Sequence, residues 1–241
     1  MECQDLGLIG RIVIVTGAVG NLGRAVAAGC LSTGAVPVLV DRSDRLEAVF
    51  GSPAAAGTAL LVPGVDLADA ASAQRMAERT LDRFGRIDGL VHTVGSFRGG
   101  RPAHQDDPDM LNRLIDANLH SAARACQAVV PSMIRQHSGR IVTVGAAPGL
   151  VAPAGLAAYA ASKAGLIRYS EGLAQDLRRN GITVNCVVPT IIDTPENRAA
   201  MPDADHSLWV SPDAIADLIL FLLSDRARAV TGAVIAVPGT A

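Results

Sequence analysis

Short runs of β-branched and aliphatic residues alternate with longer, alanine-rich segments of helical period along the chain. No other feature constrains the fold as much, because this is the pattern of βαβ units that build a parallel sheet. Strands are predicted at 11–16 (RIVIVT), 36–41 (VPVLVD), 59–65, 87–91 (IDGLV), 139–145 (GRIVTVG), 182–188 (ITVNCVV) and 232–237. Helices fall between them near 21–33, 69–84, 107–135, 156–180 and 211–224. Most of the strands are apolar on both faces, as a sheet covered by helices on both sides requires. The expected class is α/β, a doubly wound parallel sheet in one domain.

Several boundaries have local causes. Asp69 is placed to cap the third helix, and Ser211 followed by Pro212 reads as a cap and first helical residue. Asn180-Gly181 supplies a residue tolerant of positive φ where the long helix ends. The stretch 51–59 (GSPAAAGTA) reads as a surface turn. Two connections are long, 92–106 and 189–210, and both leave the carboxyl ends of strands. Ligands bind there in open parallel sheets, so these loops are the expected walls of a pocket.

Composition narrows the function. A net charge of −2 gives no electrostatic footprint for nucleic acid or an anionic membrane. The apolar runs are far shorter than the roughly 18 residues of a spanning helix, and no signal-peptide pattern opens the chain. Cys3, Cys30, Cys126 and Cys186 are widely spaced, with no CxxC pair, and read as reduced thiols of a cytoplasmic protein. The histidines show no ligand spacing, so no metal site is expected. Of the 21 basic residues, 20 are arginines and one is Lys163. A lone ammonium among guanidinium groups is either a compositional survivor or a specific requirement for a compact charge.

Thr16-Gly17-Ala18-Val19-Gly20-Asn21-Leu22-Gly23 lies between the first strand and the first helix. Glycines there let the backbone approach a pyrophosphate, to which the helix N-terminus presents free N–H groups. Asp41 ends the second strand, 18 residues beyond Gly23. A carboxylate at that position accepts both ribose hydroxyls of NAD and repels the 2′-phosphate of NADP. NADH is therefore expected over NADPH, although Arg42 next to it could stack on adenine or reach a phosphate. Asp66, followed by Leu67, is placed either to contact the adenine or to cap the next helix. Tyr159 and Lys163 are i and i+4 on one helix face. A neighbouring ammonium and an oxidised nicotinamide both favour phenolate, which would bring the phenol toward a working range.

Over its whole length the chain resembles the short-chain dehydrogenase/reductase family. TGAVGNLG resembles that family's TGxxxGxG, and YAASK (Tyr159 to Lys163) its YxxxK. The resemblance implies a Rossmann-like fold, with a dinucleotide-binding half of about 1–92 and a catalytic half with a substrate lid of about 93–241. It implies Tyr159, Lys163 and Asn118 as catalytic residues, Asn118 holding a water in the proton relay. It further implies cofactor contacts at Gly95 and along Pro189 to Thr194, Ile192 included, the segment that closes over the nicotinamide amide. A homotetramer or dimer packed through the helices near 107–135 and 156–180 follows from the same resemblance.

The departures are specific. Asn21 stands where the family usually has a different small residue, and His92-Thr93-Val94-Gly95 replaces the usual NNAG. Thr190 replaces the glycine after Pro189. The family's serine usually lies 13 residues before the tyrosine, and that position is Ala146. A methyl group cannot donate to a developing oxyanion, and losing such a donor typically costs about 10² to 10³ in rate. Either the substrate does not need that donor or the protein is an NAD-binding sensor or scaffold with little turnover. The loops favour the first explanation. SFRGG (Ser96 to Gly100), GAAPGLVAPAGLAAY and DTPENRAAMPDADHSLW are similar to the corresponding parts of dihydropteridine reductases, which also carry Ala at the serine position. The expected substrate is a small carbonyl or conjugated ring, such as a quinonoid dihydropteridine, with Ala146, Phe97 and Met201 as candidate contacts. Trp209 is expected to pack the lid, and His206, Arg98 and Arg101 to be solvated.

Overall fold

The computed structural model describes residues 6–239, so Cys3 lies outside the described residues. Seven strands form one parallel sheet: β1 (Ile12–Thr16), β2 (Val36–Val40), β3 (Leu60–Val62), β4 (Gly89–His92), β5 (Gly139–Val144), β6 (Ile182–Pro189) and β7 (Val234–Val237). Their spatial order is β3-β2-β1-β4-β5-β6-β7. The order reverses between β1 and β4, which opens a crevice at the carboxyl ends of those two strands.

Side-chain alternation divides the core into two layers. Val13 and Val15 face α1 (Asn21–Ser32) and α8 (Pro212–Leu223), whereas Ile12 and Ile14 face α3 (Ala70–Phe84), α5 (Ser121–Gln136) and α6 (Ala157–Leu177). Helix α1 packs so closely on α8 that a β-carbon at Gly29 would lie 2.5 Å from Leu220 Cδ1. The expected caps are present. Asp69 accepts from the N–H groups of Ala71 and Ser72, Ser211 accepts from Ala214, and Gly181 takes φ 71°.

Two expectations need correction. The stretch 51–59 is not all turn, because helix α2 (Leu46–Ala55) runs into it. Leu46 and Phe50, one helical turn apart, are both buried in the core and outweigh the poor helix formers that follow them. The predicted helix over 107–135 is really three pieces. Helix α4 (Met110–Ile115) leads into a widened π turn, Asp116–His120, where the Ser121 N–H reaches the Asp116 carbonyl, and α5 follows. A short helix α7 (Pro195–Ala200) lies within the 189–210 connection.

Candidate active site

The crevice is a cleft of about 570 Å³. Gly17 and Gly20 floor it, Asp41 and Arg42 close β2, Asp66 and Leu67 follow β3, and Gly95 and Ser96 follow β4. Gly17 has φ 69°, and a β-carbon on it would sit 2.9 Å from Thr93 Oγ1. At Gly23 a β-carbon would meet the Gly17 carbonyl oxygen at 2.3 Å, so that glycine lets α1 close onto the turn. Gly20, which lines the cleft, caps α1 without a side-chain bond, so no capping side chain occupies the first N–H groups of the helix. The backbone geometry thus fits a pyrophosphate. The Leu22 side chain is buried in the core layer that also holds α8 and does not line the cleft.

Asp41 is fixed from two sides, Oδ2 accepting from Val19 N at 3.2 Å and Oδ1 from Ser43 N at 2.9 Å. Asp66 does not cap the next helix. Asp69 caps α3, while Asp66 Oδ1 accepts from Ala68 N and its residue lines the cleft. Arg113, Asp116 and Ser121 also line the cleft, and the sequence reading missed them. Their only signal was the position of the helix behind the long 92–106 loop.

Gly95 joins the cleft to the Tyr159–Lys163–Asn118 cluster. A β-carbon there would lie 2.9 Å from Asn118 Oδ1 and 3.3 Å from Lys163 Nζ. Lys163 donates to the Val144 carbonyl at 2.9 Å, and burial pulls its ammonium down to about 8. Burial pushes the Tyr159 phenol up to about 12. This runs against the lowering expected from Lys163, because burial of the phenol alone sets the direction. Asn118, fully buried, accepts from Ser96 N at 2.8 Å and donates to the Ser96 carbonyl and to Ser162 Oγ. Ser162 donates in turn to the Tyr159 carbonyl at 2.8 Å. The Asn118 side chain therefore clamps the β4 loop to α6 and has no amide hydrogen left for a water.

His92 explains how the unusual HTVG turn is held. Its Nε2 lies 3.2 Å from Ser121 Oγ, and that hydroxyl donates to the Ala117 carbonyl at 2.7 Å. Ser121 must then accept from Nε2–H, while His92 Nδ1 accepts from Thr16 Oγ1 at 3.0 Å. Burial, reinforced by Lys163, pulls the ring down to about 3, so it is a neutral crosslink between β1, β4 and α5.

Ala146 is buried and precedes a 3₁₀ turn, Ala147–Gly149, that packs against Lys163. Phe97 is 57% exposed, and its ring meets that of Tyr159 edge-on at 5.0 Å. Pro189 ends β6, Ile192 bridges to Val210, and Thr194 caps α7 by accepting from Asn197 N. Thr190 ties the start of this lid to the Pro238 carbonyl. Met201 closes α7, and its carbonyl accepts from His206 Nε2 at 2.9 Å. Trp209 is buried against the His206 ring.

The model of the short chain dehydrogenase family matches residues 11–205. The chain is 34% identical over 239 residues to the 3-oxoacyl-[acyl-carrier-protein] reductase FabG of Escherichia coli strain K12, covering 95% of this chain and 96% of that one. It is 31% identical to the cyclohexanol dehydrogenase of Rhodococcus sp. strain TK6, covering 98% and 97%. Among solved structures, levodione reductase superposes with a TM-score of 0.88 at 28% identity, covering 96% of this chain and 97% of that one. By its profile, its relatives and its sheet, the chain belongs to the short-chain dehydrogenase family.

Proposed function

We propose that this protein is an NAD(H)-dependent oxidoreductase in which Tyr159 exchanges the proton and Lys163 and Asn118 support it. The observation that carries the reading is Gly95, which lines the cleft and stands against Lys163 Nζ and Asn118, Lys163 sharing helix α6 with Tyr159. When bound, the nicotinamide supplies or takes up hydride. Lys163 binds the adjoining ribose through its ammonium, held in place by Val144. With its amide committed, Asn118 would hold a relay water through its main-chain carbonyl. The fixed Asp41 carboxylate supports NADH over NADPH, because it would repel a 2′-phosphate.

The substrate in this reading is a small carbonyl or conjugated ring. Phe97 offers an exposed aromatic face beside Tyr159, and Ala146 offers no hydroxyl to a localised oxyanion. A quinonoid dihydropteridine fits both, because charge gained on reduction spreads over ring nitrogens. Ala146 also supports a second reading, an NAD-binding sensor with little turnover. Buried free thiols at Cys30, Cys126 and Cys186 support residence in a reducing compartment such as the cytoplasm. A homo-oligomer packed through α5 and α6 goes with this reading.

NADH consumption with freshly generated quinonoid dihydropterin, cyclic ketones and quinones tests the substrate class. Turnover of a conjugated ring well above the simple ketones supports it. Tight NADH binding with no turnover across the panel supports the sensor instead.

A further inference from the structure

Asn21 Nδ2 donates to Glu196 Oε2 at 2.8 Å, across 175 positions of sequence. Asn21 is the first residue of α1, at the pyrophosphate turn, and Glu196 is the second residue of α7, in the lid. Among the described residues, every other hydrogen bond of segment 190–210 stays within the segment or reaches the β7 end. Thr190 bonds Val237 and Pro238, Asp193 pairs with Arg198, and Asn197 donates to the Ile192 carbonyl. By hydrogen bonds the lid is thus tied to the second half of the chain at its base and, among the described residues, to the first half through one side-chain pair.

The Glu196 end of that pair is well supported. Glu196 accepts from its own backbone N–H and the Thr194 hydroxyl as well as from Asn21, with Arg24 nearby, and these hold its carboxyl below the usual range. It stays an anionic acceptor at neutral pH, and a bond to a charged acceptor is stronger than a neutral one. A residue without a side-chain donor at position 21 could not make it.

We propose that Glu196 is a positioning residue: its bond to Asn21 holds the lid against the pyrophosphate turn at the start of α1 and opens when a dinucleotide binds or leaves. The proposal rests on the nicotinamide reading given above. A closed clasp slows cofactor exchange in both directions, because one conformation both blocks approach and retains what is bound. Its effect falls on rates more than on the equilibrium constant.

The test is stopped-flow fluorescence of NADH binding, with dissociation followed by displacement with excess NAD⁺, for the wild type, Glu196→Ala and Glu196→Gln. Glu196 is exposed, so neither variant disturbs the core. Glu196→Ala is expected to speed association and dissociation by about 3- to 10-fold, the range one exposed hydrogen bond supports, while Kd changes less. Glu196→Gln keeps an oxygen that accepts from Asn21 and is expected to restore slow dissociation. Wild-type rates in Glu196→Ala, or a glutamine variant as fast as the alanine one, would overturn the clasp alone. Failure of the wild type to bind either NADH or NADPH would overturn the nicotinamide reading and the clasp with it.

Discussion

Lys163 and Gly95 are in such close register that a β-carbon on the glycine would lie 3.3 Å from the ammonium nitrogen. The same β-carbon would come within 2.9 Å of Asn118 Oδ1, which is pinned by Ser96 and cannot swing away. Gly95→Ala is therefore expected to displace Lys163 and Asn118 while leaving the sheet intact. Small misplacements of this kind cost about 10- to 100-fold in kcat. Steady-state kinetics beside circular dichroism measures this, and unchanged kcat would mean that the cluster tolerates the shift.

Lys163 should set an alkaline limit on reduction. Its ammonium loses its proton near pH 8, and Tyr159, pushed to about 12, stays protonated well beyond that. Reduction should thus fall as pH rises through about 8, from loss of the Lys163 charge rather than of the phenol proton. A kcat/KM profile from pH 6 to 10 checks this.

The same burial makes Lys163 a stability cost. Its folded value lies below its ordinary 10.5, so the unfolded chain binds more protons between about pH 8 and 10.5, and unfolding free energy rises across that window. Lys163→Met at pH 7 removes the buried charge at the loss of one hydrogen bond. A gain of about 1–2 kcal/mol, or roughly 2–8 °C in Tm, is expected together with loss of turnover. A lower Tm would show that the bond to Val144 outweighs desolvation.

Ala146 offers the sharpest test of substrate class. Ala146→Ser adds a hydroxyl at a buried position ahead of the 147–149 turn. A restored oxyanion donor should raise kcat/KM for simple cyclic ketones by about 10²-fold, with little change for a conjugated ring. Equal effects on both classes would remove the link between Ala146 and the substrate.

Asp41 should govern cofactor choice. Asp41→Ala removes the carboxylate that braces Val19 and Ser43 and lines the cleft. NADH affinity should fall about 10-fold and NADPH affinity rise, as measured by fluorescence titration. An unchanged ratio would transfer the discrimination to Arg42.

The sequence made the sheet legible because most strands are apolar on both faces, and Ile12 and Val13 do face opposite core layers. The glycine turn and the Tyr159–Lys163 face were legible because both depend on local spacing. What stayed hidden depends on distant partners. Helix α2 forms through burial of Leu46 and Phe50, which composition over 51–59 conceals. The π turn before Ser121 leaves no trace in apolar periodicity, yet it places Asn118 between Ser96 and Ser162. Glu196 meets Asn21 only once the lid has folded back. Desolvation of Tyr159 was missed for the same reason, since a sequence shows the neighbouring charge but not the enclosure around it.

In the proposed reaction Tyr159 moves the proton with no hydroxyl at position 146, which is Ala146. The most direct test is the single-turnover rate of NADH oxidation with a conjugated ring acceptor, for the wild type and Tyr159→Phe. The account predicts rapid oxidation by the wild type and a loss of about 10² or more in the variant, with NADH binding retained. Equal rates in the two proteins would contradict it.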